Sequence, residues 1–182
     1  MSDQDTQETE TAAAEPALEL EMVSVEQAEE EAAEARAVMD PAQQELEQQV
    51  ADQLADVTKG IATILDHDGV FIFEVSYLLD IIDNFVFDTV YHEHLSYHSI
   101  DPFKRFFSKH GLHLFDIQRN LSKGGSFRGF VQKADGAKHE KQIVQEMIEE
   151  ETRRGLHGPK IFHEFEKRVL VRKDAVLEFE KF

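Results

Sequence analysis

The ten residues Asp88-Thr-Val-Tyr-His-Glu-His-Leu-Ser-Tyr97 hold two tyrosines, two histidines and a glutamate, a denser set of proton-moving and metal-binding groups than any other stretch of the chain. Two chemistries suit them. A histidine with a carboxylate and a phenol beside it can take a proton from carbon or oxygen near neutral pH. Alternatively, His94 and His98 lie four residues apart and would share one side of a helix, where they could hold a divalent metal with help from His92 and Glu93. That second reading makes the chain a metal-dependent hydrolase. The His-Glu-x-x-His pattern of zinc peptidases is absent, however, because Glu93 precedes His94 and Leu95-Ser-Tyr97 fills the interval. A third reading has these side chains only hydrogen-bonding across a crowded junction.

The elements around the cluster must position it. Just before it, Phe71-Ile-Phe-Glu-Val75 is apolar, β-branched and aromatic, and predicts a strand at 70–75 buried on both faces, as in a parallel sheet. A short helix is expected over 77–87, with Leu78, Leu79, Ile81, Ile82 and Phe85 as its apolar positions. Ile100-Asp-Pro102 starts another helix with Phe103, Phe106 and Phe107 inward, and Gly111 ends it. Leu112 to Arg119 and Ser126 to Lys133 read as an antiparallel strand pair joined by Ser122-Lys-Gly-Gly125. A helix from Ala137 closes on Arg153-Arg-Gly155, and Pro159 opens a last helix whose Phe162, Phe165, Val169, Val176 and Phe179 recur at roughly heptad spacing. Upstream, Asp40-Pro41 starts a helix whose inner face is Leu46, Val50, Leu54, Val57, Ile61, Ile64 and Leu65.

The chain has 182 residues and a net charge of −18. Fifteen acids and one base, Arg36, fall within residues 1–50, so the acidity belongs mainly to the N-terminal third. Residues 1–23 are too poor in large apolar side chains to offset the entropy of ordering, and 25–38 form at best a weak helix. The expected division is an acidic leader at 1–40, disordered or helical, and a folded domain at 41–182. An acidic chain repels phosphate backbones, which argues against nucleic acid. The basic pairs Lys104-Arg105, Arg153-Arg154 and Arg172-Lys173 alternate with acids and read as solvated helix faces. The absence of cysteine excludes disulfides and thiolate chemistry. No apolar run matches a membrane span and no signal pattern opens the chain, so the expectation is a cytoplasmic protein acting on a small molecule.

Three stretches together carry a resemblance: Gly69-Val-Phe-Ile-Phe-Glu-Val-Ser-Tyr77, Phe87-Asp-Thr-Val-Tyr-His-Glu-His-Leu-Ser-Tyr97 and Gly124-Gly-Ser-Phe-Arg128. From about Leu54 onward the chain resembles the C-terminal half of the S-adenosylmethionine-dependent C-methyltransferases that act on nucleotide-linked deoxy-ketosugars. The resemblance implies an α/β fold: a partial Rossmann-like methyltransferase sheet of one parallel strand plus an antiparallel pair, with flanking helices. It also implies that a base removes the proton beside a ketone and that the resulting enolate is methylated. On that basis Tyr91, Glu93 and His94 are the catalytic residues, with His94 the base and the other two orienting or relaying protons. His92, Tyr97, Ser126 and Arg128 are candidates for substrate contact, although His92 also reads as structural and Ser126 and Arg128 as turn residues.

The chain departs from the family where the methyl donor is held. Residues 1–59 contain no glycine, so the family's glycine-rich cofactor loop is not among them. Ser76 stands where the family has proline, Lys123 where histidine is common, and Val50 where an upstream histidine occurs. The resemblance therefore implies S-adenosylmethionine as cofactor and a binding site outside this sequence. It implies either a partner chain carrying the missing half or self-association. The rival reading is a non-catalytic remnant serving as an interaction module.

Overall fold

In a computed structural model, residues 40–86, 88, 94 and 96–179 are described. In chain order they form α1 (Pro41–Ile64), β1 (Phe71–Ser76), α2 (Leu78–Asp83), α3 (Ile100–Lys109), β2 (Leu112–Asn120), a single 3-10 turn (Ser122–Gly124), β3 (Ser126–Lys133), α4 (Gln142–Arg153) and α5 (Lys160–Phe179). The acidic leader lies outside the described residues, except for Asp40. That residue caps α1 as expected, its Oδ1 accepting from the Ala42 amide at 2.9 Å with Pro41 in the first turn.

The sheet has three strands in the order β1-β3-β2, and β3 is antiparallel to both neighbours. The expected antiparallel pair of β2 and β3 is present. A parallel neighbour for β1 is not observed among the described residues; its one partner is β3, with Phe71 opposite Val131 and Ser76 opposite Ser126. Burial of β1 on both faces is also corrected. Phe71, Phe73 and Val75 turn to the core, whereas Ile72 is 53% exposed and Glu74 is exposed. The physical reason is the pleat: Glu74 sits directly across from Arg128, and the two pair on the uncovered face at 2.8 Å.

The core lies between the sheet and helices α3 and α4. The ring of Phe73 contacts Phe103, Phe107 and Phe127 at centroid separations of 5.1, 5.4 and 5.9 Å. Gly129, opposite Phe73, makes room for that ring, since a Cβ there would lie 2.3 Å from Phe73 Cζ. A register shift between Leu114 and Asp116 leaves Leu114 and Ile117 in the core and places Phe115 against Phe130 and beneath Lys138.

Two helices depart from their expected extents. The helix expected over 77–87 ends at Asp83, because Phe85 has a left-handed backbone (φ 57°) that no helix can continue through. The helix expected from Ala137 begins at Gln142, because Gln132 holds the preceding loop through Lys138 O and Lys138 N, at 2.5 and 3.0 Å. The apolar stripe of α1 also packs only in part. Ile61, Ala62 and Leu65 reach the core, while Val57 and Ile64 are 60% and 84% exposed.

Two ties set the geometry around the end of β1. In the first, Glu151 of α4, fully buried, accepts from the amides of Ile100 at 2.6 Å and Asp101 at 3.2 Å. It thereby caps α3 from a different helix, in place of Ser99, whose side chain makes no cap bond. Burial lifts its carboxyl above the ordinary 4.5. The buried hydroxyl of Tyr77 faces this carboxyl without a hydrogen bond of ordinary geometry.

The second tie joins α2 to the turn after β2. Asp80 pairs with Arg119, Asn84 Nδ2 donates to Gly124 O at 2.7 Å, and the Tyr77 amide donates to Gly125 O at 3.2 Å. Lys123, Gly124 and Gly125 all have positive φ (52°, 86° and 136°). A Cβ on Gly125 would lie 2.1 Å from the Asp80 Cβ.

Glu151→Ala strands two helix-initiating amides in the core and lowers unfolding free energy in urea by about 2–4 kcal/mol. Because the charged form of Glu151 is disfavoured by burial, its contribution is present below pH 4.5 and lost as pH rises through the raised folded value. Glu151→Gln therefore shows a flatter stability profile over that window, and a slope equal to the wild type would show that Glu151 does not govern it. Gly125→Ala forces Asp80 and the turn apart. It destabilises by more than about 1 kcal/mol, against the few tenths expected at an open site.

Candidate functional site

The C-terminal end of β1, the start of β3, the turn at Lys123 and the segment reaching α3 surround a cleft of about 280 Å³. Glu74, Val75 and Ser76 form one wall, His94, Ser96, Tyr97 and His98 the other, and Lys123 and Ser126 one end. The second wall is not helical in its described residues. It meets the exit of β1 at an isolated parallel bridge between Tyr77 and His98 and a 2.9 Å bond from the Leu78 amide to His98 O. The helical juxtaposition of His94 and His98 expected for a metal pair is therefore not formed. Among the described residues, no three His, Asp or Glu side chains gather as a metal site.

Of the residues singled out by sequence, His94, Tyr97 and Ser126 line this one cleft. Tyr91, His92 and Glu93 lie outside the described residues. Ser126 is buried and its hydroxyl donates to Ser122 O at 3.0 Å, so it closes the turn at the cleft's end. Arg128 does not line the cleft; it holds Glu74, which does.

Three further lining residues, Glu74, Ser96 and His98, received no catalytic or substrate-contact role from the sequence, although Glu74 and Ser96 lie within the stretches that carry the resemblance. His98 Nε2 is 3.3 Å from Ser96 Oγ, and its ring packs on Phe103 at 4.7 Å. Burial against that ring pushes the His98 pKa below the ordinary 6.5, so the imidazole is neutral at pH 7. No spacing rule would have found Glu74. It becomes a wall of the cleft only through the strand register that sets it opposite Arg128.

Chemically, the cleft combines a neutral imidazole, a second histidine, one carboxylate, one ammonium and several hydroxyls. Such a set can bind a small polyhydroxylated molecule and move a proton on it. It does not form a nucleotide cradle. The glycine pair 124–125 joins two antiparallel strands, and the space beside it is filled by Val86 and Asp80. No helix of the described residues is long and apolar enough to cross a membrane.

Residues 121–181 match the family model for the C-methyltransferase C-terminal domain. Over 110 residues, 60% of this chain, the sequence is 34% identical to the C-methyltransferase NovU of Streptomyces niveus. That match spans 26% of the NovU chain, so the protein corresponds to about a quarter of its curated relative. Both comparisons support the resemblance read from the sequence: residues 121–181, which include the Gly-Gly-Ser stretch, are similar to C-methyltransferase C-terminal domains.

Proposed function

We propose that this chain supplies the proton-handling end of a C-methyltransferase site acting on a keto-sugar nucleotide or a similar small ketone. The observation that carries this reading is the cleft in which His94, Tyr97 and Ser126 meet, in a chain whose C-terminal third matches the family domain. In it, a nitrogen of His94 takes the proton from the carbon beside the ketone, and the C–H electron pair passes to the ketone oxygen as an enolate. Tyr97 and Ser96 offer hydroxyls to the substrate. Tyr91 and Glu93 are the further proton-handling groups that the family pattern assigns. Lys123 stands at the end of the cleft as a cation for an anionic substituent.

The described residues do not fit S-adenosylmethionine, so the methyl donor is held by polypeptide outside them. The free edge of β1 is where such a segment would join. Its outer backbone groups have no strand partner among the described residues, and a parallel strand added there would make this sheet the end of a Rossmann-like sheet. The same open edge supports the second reading, an interaction module without catalysis.

Proton abstraction can be measured without a methyl donor. The chain incubated in D₂O with a nucleotide-linked 4-keto-sugar is expected to exchange the proton beside the ketone, followed by NMR. His94→Ala slows that exchange by about 10²-fold or more. If the wild-type chain exchanges no faster than buffer, alone and with a cofactor-binding half added, the catalytic reading fails and the interaction module stands.

His98 is expected to titrate below 6.5 by NMR, and to move back toward 6.5 in Phe103→Ala, which admits water to the ring. Its neutral form is the one the fold favours. Its contribution to stability is therefore present above pH 6.5 and lost as pH falls through the depressed folded value.

A further inference from the structure

Lys59, Lys104, Arg105, Arg119, Arg128, Lys141 and Arg154 each have a carboxylate partner among the described residues. Of the described basic side chains without one, Lys167, Arg172 and Lys173 lie together within two turns of α5. Glu164, Glu166 and Asp174 share that helix, yet none lies within ion-pairing distance of these three. Arg172-Lys173, expected to be a solvated face balanced by nearby acids, is thus the one of the three basic pairs singled out by sequence in which neither member has a carboxylate partner among the described residues.

Two of these cations, Lys167 and Arg172, border a hollow of about 360 Å³ lined also by Phe85, Arg168 and Val171, with no carboxylate in its lining. Its floor is Phe85, a bulky residue held at φ 57°, in the left-handed region that such residues rarely adopt. Its ring is locked edge-on to Phe165 at 5.7 Å, with the Arg168 guanidinium 4.9 Å above it and that of Arg172 at 5.9 Å. Arg168 is tethered by donating to Ile82 O at 2.9 Å, whereas Arg172 makes no hydrogen bond among the described residues. Beside this hollow, Leu170, Val171 and Val176 are 49%, 69% and 60% exposed. The occupant it suits is anionic and part apolar.

We propose that the hollow on α5 is the docking site for the chain's own acidic leader, residues 1–39. That segment carries twelve acids against one base, Arg36, a net of −11, and Leu18, Leu20 and Met22 alternate with Glu19 and Glu21. Charge and apolar content therefore match the two components of the hollow. Reach is no obstacle, since 39 residues ending at the Asp40 cap can span on the order of 100 Å when extended. Affinity need not be high. A tether of this kind presents its sequence at roughly millimolar effective concentration, so contacts with a dissociation constant near 1 mM already occupy the site about half the time. Docking covers the exposed apolar positions of α5 and neutralises its unpaired cations.

The chain has no cysteine, so one introduced thiol suffices, and Ser24→Cys bearing a nitroxide labels the leader uniquely. In the 182-residue protein at low salt, the label is expected to broaden the amide signals of Val171, Arg172 and Ala175 at least twofold more than those of β2. The broadening is expected to disappear at 0.5 M salt, where charge attraction is screened over a length on the order of 4 Å. It should also disappear in Lys167→Glu/Arg172→Glu, two exposed substitutions whose fold is checked by the unchanged β-sheet signals. Uniform or absent broadening at low salt overturns the proposal, as does broadening that survives the charge reversal. A mixture of labelled unenriched chain with unlabelled enriched chain separates the tethered form from exchange between copies, and broadening of α5 in that mixture overturns docking within one chain. Inorganic pyrophosphate is the competing probe: shifts at Lys167 and Arg172 on its addition, with no low-salt broadening by the leader, assign the hollow to small anions instead.

Discussion

A carboxylate on α4 holds the amides that open α3. Glu151 takes the bonds from Ile100 and Asp101 that a local capping side chain would ordinarily accept. Because α3 begins immediately after the segment from His94 to His98, this one contact fixes where that segment must end. The other side of the same contact is Tyr77, at the exit of β1, whose hydroxyl faces Glu151 and whose backbone bridges His98. The strand, the histidine segment and two helices are thus registered around one buried acid. Burying it raises its pKa, and the α3 amides offset part of that cost.

The opposite end of the cleft rests on steric exclusion rather than charge. Gly124 and Gly125 let the turn after β2 press against Val86 and Asp80 of the α2 region, at distances no side chain would permit. Asp80 is then free to take Arg119 from β2. The Gly-Gly-Ser sequence therefore has a structural function before any chemical one: it brings Lys123 and Ser126 to the end of β1. Glu74 and Arg128 hold each other across the sheet's uncovered face and keep a carboxylate at the cleft wall.

Much of this was legible in the chain. The strand at 71–76, the β2–β3 hairpin and the phenylalanine face of α3 follow from periodicity and turn residues, since each depends on contacts within a few residues. The direction of β1's pairing was not legible. An apolar run is compatible with either orientation, and only the position of β3 between β1 and β2 made the observed pairing antiparallel. The end of α2 was missed because nothing in an apolar pattern announces that Phe85 will adopt a left-handed backbone to reach Phe165 and Arg168.

By itself the sequence determined the acidic asymmetry of the chain, its element order and the residue types that crowd before α3. It also determined the family resemblance, because short ordered motifs survive in the linear text. Tertiary structure alone decided which of those groups share a cleft. His94, Tyr97 and Ser126 are brought together with Glu74 and His98 by a strand register, an interhelical cap and a glycine turn, all contacts between residues far apart in the chain. The neutral state of His98 belongs to the same class, since it arises from burial against Phe103 and not from any neighbour in sequence.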